Sequence, residues 1–145
     1  MDRPMLSVTI PSHLAFVNCA RAFVVAVCKA YEVSDETTDS IGLALHEALT
    51  NVIRHGHAHQ FEKLVQLSCQ LYPDRIELHI IDEAGPFDLT QVPELDPTEL
   101  RVGGRGVYLM RAIFDELACE RRPEGGNRLR LVKRCPVKIP EPSSG

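Results

Sequence analysis

The chain has 145 residues, 44% hydrophobic and 25% charged, with a formal net charge of −4. That length suits one domain able to bury a core without staples, and the composition is ordinary for a soluble globular protein. No basic stripe and no basic–aromatic interleaving appears, so nucleic acid is not an expected partner.

The five cysteines (Cys19, Cys28, Cys69, Cys119 and Cys135) are odd in number and form no C-x-x-C pair. Most stand among apolar neighbours, which predicts free thiols in a reducing cytoplasm. No signal peptide opens the chain and no apolar run approaches the ~20 residues of a membrane span, so no membrane partner is expected.

Met5 to Ile10 alternates and is rich in β-branched residues, which predicts a strand ended by Pro11-Ser12. Ser12 is a candidate N-cap for a long amphipathic helix from His13 to about Tyr31, with Phe16, Val17, Ala20, Phe23, Val24 and Val27 as its apolar stripe. A second helix starts at Ser34-Asp35-Glu36, acids near its positive end, and stops near His55-Gly56. Its buried face is Ile41, Ala44, Leu45, Ala48, Leu49 and Val52. Leu64–Leu71 and Arg75–Ile81 read as a hairpin turned at Tyr72-Pro73-Asp74.

An irregular, acid-rich segment runs from Asp82 to Val102 and has the length of a functional lid. Gly103-Gly104-Arg105-Gly106 leads from it into a third helix. Leu117–Arg121 and Asn127–Lys133 then close the chain as strands turned at Pro123-Glu124-Gly125-Gly126. The expected fold is α+β: a two-layer sandwich with a mixed, mostly antiparallel sheet covered on one face by helices. One domain spans 1–135, and the Pro/Ser-rich 136–145 reads as a disordered tail.

Four groups carry chemistry. Glu47 and Asn51 stand one above the other on the second helix, a base and a hard oxygen donor suited to magnesium-dependent work; they fit a solvated helix edge as well. Asp82 ends a strand, where its acceptor-only carboxylate suits an exocyclic amine such as adenine's, or caps a turn. Glycines at a helix start form an anion cradle or a hinge, without the Lys-Ser/Thr of a Walker loop. His55, His57 and His59 alternate like weak metal ligands but lack a carboxylate or cysteine partner, so a polar helix exit is the preferred reading.

In this order the pieces resemble the ATP-binding domain shared by histidine kinases and DNA gyrase, the Bergerat fold, and most closely the bacterial anti-sigma factor serine kinases. Glu47-Ala48-Leu49-Thr50-Asn51 through Gly56 is similar to the family's N box, Asp82 to Asp88 to its first glycine box, and Gly103 to Met110 with Phe114-Asp115-Glu116 to its second. The resemblance implies ATP and Mg²⁺ as cofactors. Asn51 would be the metal ligand and Glu47 the general base toward a serine. Asp82 would bind the adenine amine, and Ala84, Gly85, Gly103, Gly104, Arg105, Gly106, Val107 and Asn127 would complete the nucleotide site.

Two positions depart from the family pattern: Ala84 replaces a glycine, with Gly85 displaced by one, and Asn127 replaces a threonine after Gly126. The implied partners are an anti-anti-sigma-like regulator, a sigma factor and a second copy in a homodimer. A non-catalytic, ATP-loaded partner-switching module is the alternative.

Overall fold

Strand alternation and helical periodicity resolve into two layers in the computed structural model, which describes residues 4–56, 62–83 and 104–139. Strands β1 (Met5–Pro11), β2 (Leu64–Tyr72), β3 (Arg75–Asp82), β4 (Glu116–Arg121) and β5 (Asn127–Arg134) form one sheet in the order β1-β2-β3-β5-β4. Every pairing is antiparallel, so the α+β expectation holds and the mostly antiparallel sheet is wholly so among the described residues. Helices α1 (Val17–Ala30), α2 (Asp35–Asn51) and α3 (Gly104–Ile113) make the second layer, with α2 packed against both others.

The period of two in the strands decides which side chains meet that layer. Val65, Leu67, Cys69 and Leu71 of β2, Ile76, Leu78 and Ile80 of β3, and Leu129 and Leu131 of β5 point inward and are buried. They join Val17, Ala20, Val24 and Val27 of α1 and Ile41, Ala44, Leu45, Ala48 and Leu49 of α2 in one core. Each fully buried Leu or Ile contributes roughly 1.5–3 kcal/mol of transfer free energy, which sets the helix faces against the sheet.

Local details differ from the sequence expectations. Ser12 does not cap the turn that follows it; it is buried, and its N–H donates to Lys63 O at 2.8 Å. His13 Nδ1 accepts from Ala15 N at 3.0 Å and opens a 3₁₀ turn, Leu14–Phe16, ahead of α1. Phe16, counted in the apolar stripe, stays 40% exposed because it lies on that turn, outside the helix. Ser34 does cap α2, accepting from Thr37 N at 3.2 Å. The α-helix ends at Asn51, and Val52–Gly56 continues as a π-helical turn.

Residues 136–139, read as the start of the tail, pack on the domain. Val137 is 6% exposed and donates to Pro73 O at 3.0 Å, and Lys138 N donates to Tyr31 O at 2.8 Å. An apolar residue between prolines found a place on the core that composition alone did not signal. Residues 140–145 lie outside the described residues.

All five cysteines are free. Burial pushes the Cys28 thiol up to about 11, with Cys135 nearby adding to the rise, and the Cys69 thiol up to about 12, with Cys28 adding to it. A buried thiol that stays protonated is a poor nucleophile. Iodoacetamide at neutral pH is therefore expected to alkylate exposed Cys19 in the native protein and to spare Cys28 and Cys69 until denaturant is added. Mass mapping of the labelled peptides checks this, and native labelling of Cys69 at the Cys19 rate would contradict it.

Candidate functional site

The candidate residues stand at the ends of β3 and β5, along α2 and in the first turn of α3. Asp82 is the last residue of β3 and continues the inward row after Ile80, so its carboxylate is directed into the protein; it is 3% exposed. Its register partner on β5 is Asn127, 4% exposed. Asn127 Nδ2 donates to Asp82 Oδ1 at 3.1 Å, and Asn127 N donates to the same oxygen at 3.3 Å. Two hydrogen bonds to one carboxylate oxygen, one of them from the backbone, are enough to fix its orientation.

The turn before Asn127 makes this possible. Arg122 N donates to Gly126 O and Gly125 N donates to Arg122 O, both at 3.0 Å, and the two glycines take φ of +100° and +87°. Gly126 lies directly against the backbone of Asp82: a Cβ there would collide with the Asp82 carbonyl oxygen and stand 3.2 Å from Glu83 Cα. The absence of a side chain is what lets β5 start beside the aspartate. Beyond Asp82, Glu83 Oε1 accepts from Leu64 N at 2.8 Å and ties the end of β3 to the start of β2.

Glu47 and Asn51 occupy successive turns of α2. Asn51 is 1% exposed, with Oδ1 enclosed by protein, so it belongs to the interior and the solvated-edge reading fails for it. Glu47 is half-buried, at the margin between core and solvent. A π-helical turn directly after Asn51 widens the backbone at that point, a feature that recurs at functional sites.

Gly104, Arg105, Gly106 and Val107 form the first turn of α3; the sequence reading has Val107 in the helix and Gly104–Gly106 leading into it. Their backbone N–H groups are thus the donors that a helix N-terminus leaves without intrahelical partners, with the favourable end of the dipole behind them. Ala84, Gly85, Gly103, His57 and His59 lie outside the described residues. No group of three or more His, Cys, Asp or Glu side chains that could hold a metal ion occurs among the described residues. No described helix is long and apolar enough to cross a membrane.

Sequence reasoning assigned Asn127 to the nucleotide and missed its bond to Asp82. The signal available was weak: two polar residues at strand ends, each beside a turn, 45 positions apart. Only the β3–β5 register joins them.

An antiparallel five-stranded sheet with helices packed on one face is the α+β architecture of the Bergerat type. The chain belongs to the family described as histidine kinase-like ATPase domain, whose profile matches residues 10–133. Among relatives, the serine-protein kinase RsbW of Halalkalibacterium halodurans is 28% identical over 136 residues, covering 88% of this chain and 82% of its own. The serine-protein kinase RsbW of Oceanobacillus iheyensis is 27% identical over 120 residues, covering 77% and 76%. In fold, the chain matches the RsbU and RsbW domains of Rv1364c from Mycobacterium tuberculosis with a TM-score of 0.66 at 18% identity, over 94% of this chain and 34% of that one. The likeness to these serine-protein kinases thus extends over most of this chain and most of theirs.

Proposed function

We propose that this protein is an ATP-dependent serine kinase that phosphorylates an anti-anti-sigma-like regulator and holds a sigma factor or similar partner, working as a homodimer in the cytoplasm. The observation that carries the reading is the buried Asp82 carboxylate fixed by Asn127, an acceptor with defined direction at the place where an adenine amine would bind. The amine would donate to this carboxylate, which can only accept. The N-terminal turn of α3 would receive the phosphates through backbone N–H groups. Asn51 fits a Mg²⁺ ligand because a carboxamide oxygen is a hard donor, enclosed here on the helix that also carries Glu47. When bound, Mg²⁺ would supply neutralisation of phosphate charge. Glu47 would take the hydroxyl proton of the substrate serine as that oxygen bonds to the γ-phosphorus and ADP leaves.

Asp82→Asn tests the nucleotide half of the proposal with little disturbance of the fold. The variant keeps an oxygen for Asn127 and replaces Oδ2 with an NH₂ group, which would face the adenine amine donor to donor. A lost charge-assisted bond costs about 1.5–3 kcal/mol, so ATP affinity is expected to fall roughly 10- to 100-fold in calorimetric titration. Unchanged affinity would remove the adenine assignment. Incubation of the wild-type protein with Mg-ATP and a serine-containing regulator tests the rest: phosphate transfer supports the kinase, and tight binding without transfer to any cognate regulator supports the non-catalytic switching module.

A further inference from the structure

The turn that opens the helix layer holds two large apolar side chains out of the core. Leu14 and Phe16 are 42% and 40% exposed, and Ala15 between them is exposed as well. Helical spacing would bury Phe16 with Val17 and Ala20, but the 3₁₀ turn Leu14–Phe16 takes it off that stripe. Three backbone donors fix the turn. His13 N donates to Pro11 O at 2.7 Å, Ala15 N to His13 Nδ1 at 3.0 Å, and Phe16 N to His13 O at 3.0 Å. The His13 ring stands edge-on to Phe16 with centroids 6.1 Å apart, an arrangement that aromatic rings prefer. A departure from the chain's own hydrophobic pattern, held on fixed backbone, is expected at functional sites.

The turn stands at the end of the sheet that carries Asp82. Ser12 N donates to Lys63 O and Leu64 N donates to Glu83 Oε1, both at 2.8 Å, so the ends of β1 and β3 are stitched together through the start of β2. In the order β1-β2-β3 the end of β1 is two strands from Asp82, about 10 Å across the sheet. Charge is distributed unevenly here. Residues 4–31, which make β1, the turn and α1, include Arg21 and Lys29 and no Asp or Glu, in a chain of formal net charge −4.

We propose that the Leu14–Phe16 turn docks the serine-bearing regulator, which meets it with an apolar pocket rimmed by carboxylates. The inference rests on the kinase reading above: a serine on a folded protein has to come to the nucleotide end of the sheet, and this turn presents its apolar side chains there. Leu14 and Phe16 are anchors of the kind that carry most of the energy of an interface, and a backbone already fixed loses little entropy when they are covered. A surface without carboxylates steers an acidic partner toward it and disfavours a basic one. A second copy of the chain is the less suited occupant, because a two-fold contact would set this carboxylate-free surface against itself.

The test uses the full chain with Mg-ATP and, as probes, the anti-anti-sigma-like regulators encoded in the same genome, each purified and titrated by calorimetry. For a regulator that binds the wild type, the double variant Leu14→Ala/Phe16→Ala is expected to weaken the complex at least ~10-fold. KM for phosphate transfer should rise by a similar factor, with kcat within about 2-fold and ATP affinity unchanged. Met5→Ala removes an apolar side chain that is 64% exposed on β1 and should change none of these. Raising salt from ~50 to ~500 mM should weaken the wild-type complex. A photo-reactive benzoylphenylalanine in place of Leu14 should cross-link the regulator, and one in place of Met5 should not, which keeps a readout if the double variant fails to fold. Wild-type affinity in the double variant, an equal loss in Met5→Ala, or equal cross-linking from both positions would overturn the docking role and leave the kinase reading standing. Binding without transfer would remove the kinase reading, and loss of affinity in the double variant would still support the docking. Failure of every regulator to bind the wild type would overturn both. Conversion of a wild-type dimer to monomer by the double variant would assign the turn to a second copy and overturn the proposal.

Discussion

Gly126→Ala is expected to lower the melting temperature by about 6–12 °C, the largest stability loss of any substitution at the site. Two costs combine. A φ of +87° is disfavoured for a residue with a Cβ by roughly 1–2 kcal/mol. The added carbon would also overlap the Asp82 carbonyl oxygen and crowd Asp82 C at 3.0 Å and Glu83 Cα at 3.2 Å, all backbone atoms that cannot swing aside. Relief requires β5 to move from the end of β3, with strain of about 1–3 kcal/mol more. A total near 3 kcal/mol corresponds to this shift at roughly 2–4 °C per kcal/mol for a chain of this size. Gly125→Ala is the control: its φ is +100°, yet nothing lies within 4 Å of the added carbon, so only the first cost applies. Equal melting temperatures for the two variants would show that close packing on Asp82 is not what Gly126 provides. Because the displaced atoms belong to Asp82, Gly126→Ala should weaken ATP binding as well, and Gly125→Ala should not.

The elements themselves were legible because their signals are local. Alternation placed β2 and β3 within a residue of their observed ends, and the spacing of Ile41, Leu45 and Leu49 gave α2 and its buried face. What was hidden is non-local. Nothing near Ser12 signals that its N–H donates to Lys63 O, or that His13 Nδ1 accepts from Ala15 N and caps the turn. Val137 looked like part of a tail because prolines flank it; its partner Pro73 is far away in the chain. Glu77 is enclosed by Arg75 of its own strand together with Arg130, which arrives from β5, 53 positions on. In the candidate site, side-chain chemistry singles out Glu47, Asn51 and Asp82 but leaves a helix edge and a turn cap open for them; their roles come from the resemblance. The Asp82–Asn127 bond could not be named, since it exists only once β3 and β5 are in register. The departure at Asn127 also acquires a physical meaning there: its carboxamide supplies directly a donor to the carboxylate at 3.1 Å, a reach that depends on its length.

Glu47→Ala is expected to reduce phosphate transfer to a serine substrate by roughly 10²–10⁴-fold, the usual contribution of a positioned general base, with ATP affinity changed by less than about 3-fold. Its place on α2 makes this separation possible. Glu47 is half-buried and lies inside the helix, one turn before its end, where alanine has the higher helix propensity, so truncation neither opens a core cavity nor breaks the helix. Asn51, one turn on, offers no such clean test: it is 1% exposed at the junction with the π-helical turn, and removing its carboxamide disturbs packing together with any metal contact. Phosphoryl transfer runs through a loose transition state in which positioning and charge neutralisation dominate, so binding should survive the loss of the base while turnover does not. Single-turnover transfer from radiolabelled ATP, measured beside equilibrium ATP binding, reads both quantities in one preparation. Transfer at the wild-type rate in Glu47→Ala would take the base role from this residue, and a Glu47→Gln variant as slow as the alanine variant would show that the carboxylate's proton affinity, not its size or polarity, is what the reaction uses.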